Sequence, residues 1–214
     1  MKITINGPAA SGKGTVSRML AGKLGYVHFD AGMVFRFYAL MSINYGIENC
    51  REFLVEQLWE KWSYEWSAKG GSIICEGRDV SAELHEQHIA SLTAQLAATP
   101  QDFVQMIAIT ERVLAEFTRV IVDGRSAGTV LLPGADRKFY LDAPAEIRAE
   151  RRYQELIQRG ITSSREQVIA DLLSRDELDR NRRLDPLQIP EGAQVLQTGF
   201  SSATVICEAI LSHL

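Results

Sequence analysis

An α/β fold, built on one parallel sheet covered by helices on both faces, is predicted by three features of this 214-residue chain. Short apolar runs of strand length alternate with helical patterns from end to end. The first run, Ile3-Thr4-Ile5, leads into a glycine-rich turn, Gly7-Pro8-Ala9-Ala10-Ser11-Gly12-Lys13-Gly14-Thr15, and then straight into a helix. Two later runs, Val120-Ile121-Val122 and Phe139-Tyr140-Leu141, are apolar without alternation, as strands buried on both faces are.

The elements follow in order. Ile3 to Asn6 predicts the first strand, and 12–24 the first helix, with Val16, Met19, Leu20 and Leu24 on one stripe and Gly25 as its stop. Tyr26 to Phe29 predicts a short strand ending at Asp30. Met33 to Tyr45 predicts a helix ended by Gly46, and 51–61 a further helix. The period then changes. Trp62, Tyr64, Trp66 and Ala68 alternate with polar residues, Lys69-Gly70-Gly71 predicts a turn, and Ser72 to Glu76 can pair back as a hairpin. This aromatic stripe predicts the apolar face of a small antiparallel sheet rather than a base-stacking platform. Helices are predicted at 84–98 and 101–116, divided by Pro100. Strands follow at Arg119–Asp123 and Lys138–Asp142, and helices at 145–158 and 164–182. Ala193 to Gln197 completes a five-stranded sheet, and a helix at 202–213 covers it. Strands alternating with helices favour right-handed crossovers. Interrupted by a hairpin, this is the layout of a phosphate-loop kinase.

Composition narrows the class. The 23 Lys and Arg against 27 Asp and Glu leave a net charge of −4, so no general attraction to nucleic acid is expected. Cys50, Cys75 and Cys207 lie far apart, without metal-ligand spacing or the pattern of a disulfide scaffold. A cytoplasmic setting is expected, with no signal peptide and no membrane span. A monomer is expected.

A strand, a tight glycine-rich turn and a helix N-terminus form a nest of backbone N–H groups, and Lys13 adds a mobile charge for β- and γ-phosphates. The general phosphate-loop pattern places Ser or Thr after Gly-Lys; Gly14 stands here instead, followed by Thr15. Gly14 has no hydroxyl for Mg²⁺, which must rely on phosphates, water and other side chains. Phosphoryl transfer needs charge compensation on both sides of the moving group. Lys13 and the loop supply one side. Arg36, Arg125, Arg175 and Arg182 are the candidates for the other, supported by Arg148, Arg151 and Arg152. Helical spacing puts Arg175, Asp179 and Arg182 on one face. That face reads either as a solvated ion-pair surface or as a phosphate-gripping flank, and the phosphate loop favours the second. Asp123 ends a core strand before Gly124-Arg125, where open sheets bind ligands; it can hold Mg²⁺ through water or fix an arginine. Asp30 is a weaker candidate for the same work. Lys13, Arg125, Arg182 and Asp123 are thus the candidate catalytic residues. The four histidines do not suggest a metal site, and Ser11, Ser126 and Thr129 lack a paired base. No guanine-reading Asn-Lys-x-Asp run is present.

Almost end to end, the chain closely resembles the bacterial cytidylate kinase family. The likeness is carried by Ile5-Asn6-Gly7-Pro8 through Gly12-Lys13-Gly14-Thr15; by Asp30-Ala31-Gly32 with Phe35-Arg36; and by Gly77-Arg78-Asp79-Val80-Ser81. It continues in Asp123-Gly124-Arg125 with Gly128-Thr129-Val130, in Phe139-Tyr140-Leu141-Asp142-Ala143, and in Arg175-Asp176 with Asp179-Arg180-Asn181-Arg182. The resemblance implies transfer of the terminal phosphate of ATP, with Mg²⁺, to a small phosphorylated acceptor, CMP or dCMP. It implies that Arg36, Arg125 and Arg182 hold the acceptor phosphate while Arg175 and Asp179 reach its sugar. It also implies one domain over 1–214, with a core at about 1–45, 84–150 and 190–214, an acceptor-binding insert at about 46–98 and a helical lid at about 155–183.

Departures from the family pattern are concentrated. Ala31 stands where the family usually has Ser, Ser126 where it has Asp, Ala94 where it has Ser, Phe103 where it has Arg, and His85 where Arg is usual. The phosphate and sugar set is kept while the base-reading polar set is largely replaced. An unmatched buried polar group costs about 1–3 kcal/mol. The alternative acceptors are therefore a different or modified nucleoside monophosphate, or a phosphorylated metabolite. A weakly catalytic ATP-binding protein is the alternative class.

Overall fold

The computed structural model describes residues 1–48, 50–51, 61–67 and 70–214. Most of the helix predicted over 51–61 lies outside the described residues, as do Ala68 and Lys69 of the predicted turn.

Strands β1 (Lys2–Asn6), β2 (Val27–Asp30), β6 (Val120–Gly124), β7 (Arg137–Asp142) and β8 (Gln194–Gln197) form one parallel sheet in the order β2-β6-β1-β7-β8. Side chains alternate across it. Ile3, Ile5, Ile121, Phe139 and Leu141 pack on one side against Val16 and Leu20 of α1 (Lys13–Leu24) and Ile206 and Ile210 of α7 (Ala203–Leu211). Phe29, Val120 and Val122 pack on the other against α2 (Ala31–Tyr45), α3 (Gln87–Ala98) and α4 (Pro100–Leu114). Burying each such side chain contributes about 1.5–3 kcal/mol, so each side of the sheet has its own core. Helices α5 (Ala145–Gln158) and α6 (Arg165–Asn181) follow β7 and pack on each other. Ser164 caps α6, its hydroxyl accepting from the Gln167 amide at 3.1 Å. Among the described residues, no helix is long and apolar enough to cross a membrane.

A second, antiparallel sheet joins β3 (Trp62–Ser67), β4 (Gly70–Cys75) and the short β5 (Arg78–Asp79). The aromatic stripe packs inward for two of its three rings. Trp62 lies 4.7 Å from Phe37 and Tyr64 4.5 Å from Phe29, centroid to centroid, while Trp66 stays exposed. Gly70 and Gly71 were expected to turn the chain, yet they pair within the ladder opposite Ser67 and Trp66. The Tyr64 ring lies across this place: a Cβ at Gly71 would sit 2.1 Å from the phenol oxygen. Gly71 is a close-approach glycine, a use the sequence does not distinguish from a turn.

Three boundaries also differ from expectation. The helix expected from 84 starts as a single tight turn, Glu83–His85, before α3. After β6 the chain coils through a wide turn at Ala127–Leu131. Helix α6 ends at Asn181, and Arg182 has extended backbone (φ −55°, ψ 138°), so it leaves the helical face it was expected to share with Arg175 and Asp179.

Candidate functional site

The carboxyl ends of β1, β2 and β6 bring the candidate residues together. The loop after β1 is pressed onto β7: a Cβ at Gly7 would lie 2.2 Å from the Leu141 carbonyl oxygen. Ala10 (φ 57°) and Gly12 (φ 89°) adopt left-handed backbone, the kind of alternation that gathers successive N–H groups into a concavity. Lys13 Nζ donates to the Pro8 carbonyl at 2.8 Å and so folds back over the loop.

The loop is braced from outside. Arg148 is buried and donates to the Ala9 carbonyl at 3.1 Å and the Ala143 carbonyl at 2.9 Å, and pairs with Asp176 of α6 at 2.7 Å. Arg151 bonds Thr198 through both the hydroxyl, at 3.0 Å, and the carbonyl, and Thr198 Oγ1 donates to the Ser11 carbonyl at 2.8 Å. These two arginines, expected to support phosphate binding, are spent on holding the cradle and its neighbours. Asn6, buried at the end of β1, donates to the Arg125 carbonyl at 2.9 Å and accepts from the Gly128 amide at 2.9 Å. It thereby ties the loop's strand to the segment that carries Arg125 and Ser126.

One cavity of about 330 Å³ opens beside the loop. It is lined by Ala9 to Thr15 and by Asp30, Ala31, Arg36, Ala94, Asp123, Arg125, Ser126, Arg175, Asp179 and Arg182. Of the predicted set, Gly7, Pro8 and Phe103 stand outside this lining. The two loop residues shape the cradle from behind. Phe103 is buried, edge-on to Phe35 at 6.2 Å, and the Arg182 guanidinium lies 5.1 Å above its ring. The aromatic ring expected to face the acceptor base is thus a shelf under an arginine, a cation–π contact. Ala31 is packed against Gly124, where an added Cβ would meet the Ala31 methyl at 3.3 Å. Ala90, Ala94 and Ala97 of α3 give the far wall an apolar surface.

Cationic groups crowd this cavity. Arg36 pairs with Asp30 at 2.9 Å, and Arg125 pairs with Asp179. Arg182 donates to the Asp185 carbonyl at 2.6 Å and reaches Ser126 Oγ at 3.5 Å. Among the described residues, Arg175 Nε is buried without a hydrogen-bond partner. Burial, with Arg125 close by, lowers Lys13 to about 8 and Arg175 to about 9. Burial likewise lowers Arg182. Burial raises Asp30, but the Arg36 and His28 charges outweigh it and hold the carboxyl below its ordinary value.

Asp123 Oδ2 lies 2.9 Å from Nε2 of His28, and both residues are buried. Burial alone would lower His28; the bond and charge of Asp123 outweigh it, so the imidazole is raised. His28, Asn6 and Thr198 were not singled out from the sequence. Asn6 left a faint signal, a polar residue closing an apolar strand; His28 left none, because its partner lies 95 positions away. Among the described residues, no group of three or more His, Cys, Asp or Glu is gathered to hold a metal.

A family model described as cytidylate kinase matches residues 3–214. The chain belongs to the cytidylate kinase family. Its relatives include a cytidylate kinase from Aliivibrio salmonicida (strain LFI1238), 35% identical over 97% of this chain and 94% of that protein. A cytidylate kinase from Shewanella loihica (strain ATCC BAA-1088 / PV-4) is 34% identical over 99% of this chain and 93% of its own. Another from Vibrio cholerae serotype O1 is 32% identical over 99% and 95%. Among solved structures, shikimate kinase from Acinetobacter baumannii in complex with shikimate is 18% identical, with a TM-score of 0.47 over 99% of this chain and 91% of that one. That likeness is too distant to bear on substrate or mechanism.

Proposed function

We propose that this protein transfers the γ-phosphoryl group of ATP to CMP or dCMP, giving ADP and CDP or dCDP. The observation that carries this reading is the gathering of Lys13, Arg36, Arg125, Arg175 and Arg182 around one cavity beside the phosphate loop. Two phosphate-bearing substrates repel each other, and five cations between them offset that repulsion.

In this reading an acceptor phosphate oxygen attacks the γ-phosphorus in line and the bond to the β-phosphate oxygen breaks, with ADP as leaving group. A dianionic acceptor phosphate needs no general base. Lys13 and the loop amides hold the donor phosphates. Arg36, Arg125 and Arg182 hold the acceptor phosphate, and Arg175 with Asp179 meets the sugar, an assignment supported by the family pattern. Arg125 pairs with Asp179, which joins the group that holds the phosphate to the group that meets the sugar, and the remaining N–H donors of its guanidinium can serve the phosphate. Residues 46–98 serve as the acceptor-binding insert and 155–183 as the lid, which excludes water on closing. The residues fit Mg²⁺ held chiefly by phosphates and water: Gly14 offers no hydroxyl, and Asp123 Oδ2 stands 3.5 Å from where its Cβ would be. Bound there, the ion would neutralise charge on the β- and γ-phosphates. A monomer in a cytoplasmic setting, which suits nucleotide substrates, completes this reading.

A second reading, a different or modified nucleoside monophosphate as acceptor, is favoured by the apolar far wall formed by Ala90, Ala94 and Ala97. ADP formation measured against a panel of monophosphates decides between them. CMP and dCMP are expected to give the highest kcat/KM. A different best acceptor selects the second reading. No ADP above the ATP-only rate with any acceptor leaves an ATP-binding protein.

A further inference from the structure

Strands β2 and β6 run in register with Asp30 opposite Asp123. Neighbouring strands lie about 5 Å apart, so two carboxylates emerge side by side at the edge of the cavity. Like charges that close oppose one another unless each has its own partner. Asp30 has Arg36 at 2.9 Å, and Asp123 has His28 Nε2 at 2.9 Å. His28 precedes Asp30 by two positions, so both project from the same side of β2, and the imidazole reaches across to β6. The oxygen that His28 holds, Asp123 Oδ2, is also the one that faces Gly14 at the phosphate cradle. The strand end itself is held by the hairpin: the Tyr64 hydroxyl donates to the His28 carbonyl at 3.3 Å and accepts from the Asp30 amide at 3.3 Å.

We propose that His28 is a positioning residue that fixes the Asp123 carboxylate against the phosphate cradle. An apolar side chain could fill the same buried space but would leave Asp123 without its hydrogen-bond donor. Without that donor the carboxylate loses its fixed place beside Gly14, at the loop over which Lys13 folds back. The loop holds the donor phosphates in the proposed reaction, so the loss falls on the donor side and spares the acceptor side.

The inference rests on the kinase reading for its turnover arm only. The wild-type chain, His28→Leu and His28→Gln are compared by steady-state kinetics with ATP and CMP, by calorimetric ADP binding with and without Mg²⁺, and by thermal unfolding. Replacing a residue that orients a ligating carboxylate costs about 10–100-fold in affinity or activity. His28→Leu is expected to lose that much in kcat/KM for ATP and in Mg²⁺-dependent ADP affinity, with KM for CMP within about twofold. His28→Gln, whose amide can donate to Asp123, is expected to regain most of it. If His28→Leu does not fold, His28→Asn, too short to reach Asp123, takes its place with the same expected loss. An apolar or Asn variant that keeps both donor-side measures overturns the proposal. Equal losses for ATP and CMP, with Gln no better than Leu, also overturn it. A wild type that phosphorylates no acceptor removes the kinase reading alone, since Mg²⁺-dependent ADP binding still tests His28.

Discussion

Lys13 and Arg175 hold positive charge in a place that disfavours it. Burial is the largest cause for both, and Arg125 adds repulsion. For Lys13 the folded value of about 8 lies below the ordinary value of 10.5, so between these the unfolded chain binds more protons. This residue's contribution to stability therefore rises with pH across that window in the free protein. Phosphate binding needs the ammonium and runs the other way. KM for ATP is expected to climb as pH passes about 8, approaching a tenfold rise per unit where the neutral amine dominates. Rates at saturating CMP between pH 7 and 9.5 check it; a flat KM would show that this lysine does not carry the donor interaction. Phe103 teaches a different lesson at the same scale. Its place in the family pattern pointed to the acceptor base, but volume and polarity decided otherwise, because a buried ring next to Phe35 becomes a support for Arg182.

At the scale of elements, the main sheet was legible because β1, β6 and β7 each carry an apolar run, and the phosphate loop because a local spacing encodes it. What escaped were contacts between distant segments. Gly71 carries the local signature of a turn, but Tyr64 lies across it; Arg148 carries that of an arginine supporting phosphate binding, but its partners are two carbonyls and Asp176. Arg148 joins the loop at Ala9, the end of β7 at Ala143 and α6 at Asp176, and both members of its ion pair are buried. Removing one partner from such a pair typically costs about 3–5 kcal/mol. Arg148→Ala is therefore expected to lower stability by that order, and Arg148→Lys to recover little, since an ammonium lacks the planar fork needed for three acceptors. Denaturant unfolding of the three proteins gives the comparison. A stable Arg148→Ala with only KM raised would instead return this residue to the ligand.

For the molecule as a whole, a net charge of −4 coexists with a cavity whose lining concentrates cations. The free protein therefore carries an internal repulsion that its ligands relieve, a trade of stability for function of a familiar kind. Lys13→Met tests this at once. It removes one of the mutually repelling charges while keeping an unbranched chain of similar length, so the ligand-free variant is expected to unfold at or above the wild-type temperature. ADP at about 100 times its Kd adds about 2.7 kcal/mol to the wild type, or about 5–11 °C for a chain of this size. The variant binds more weakly and is expected to gain only a small part of that shift at the same ADP concentration. If Lys13→Met proved less stable when free yet shifted as far with ADP, the lysine would be a structural member of the loop, and the cation cluster would not be the source of nucleotide affinity.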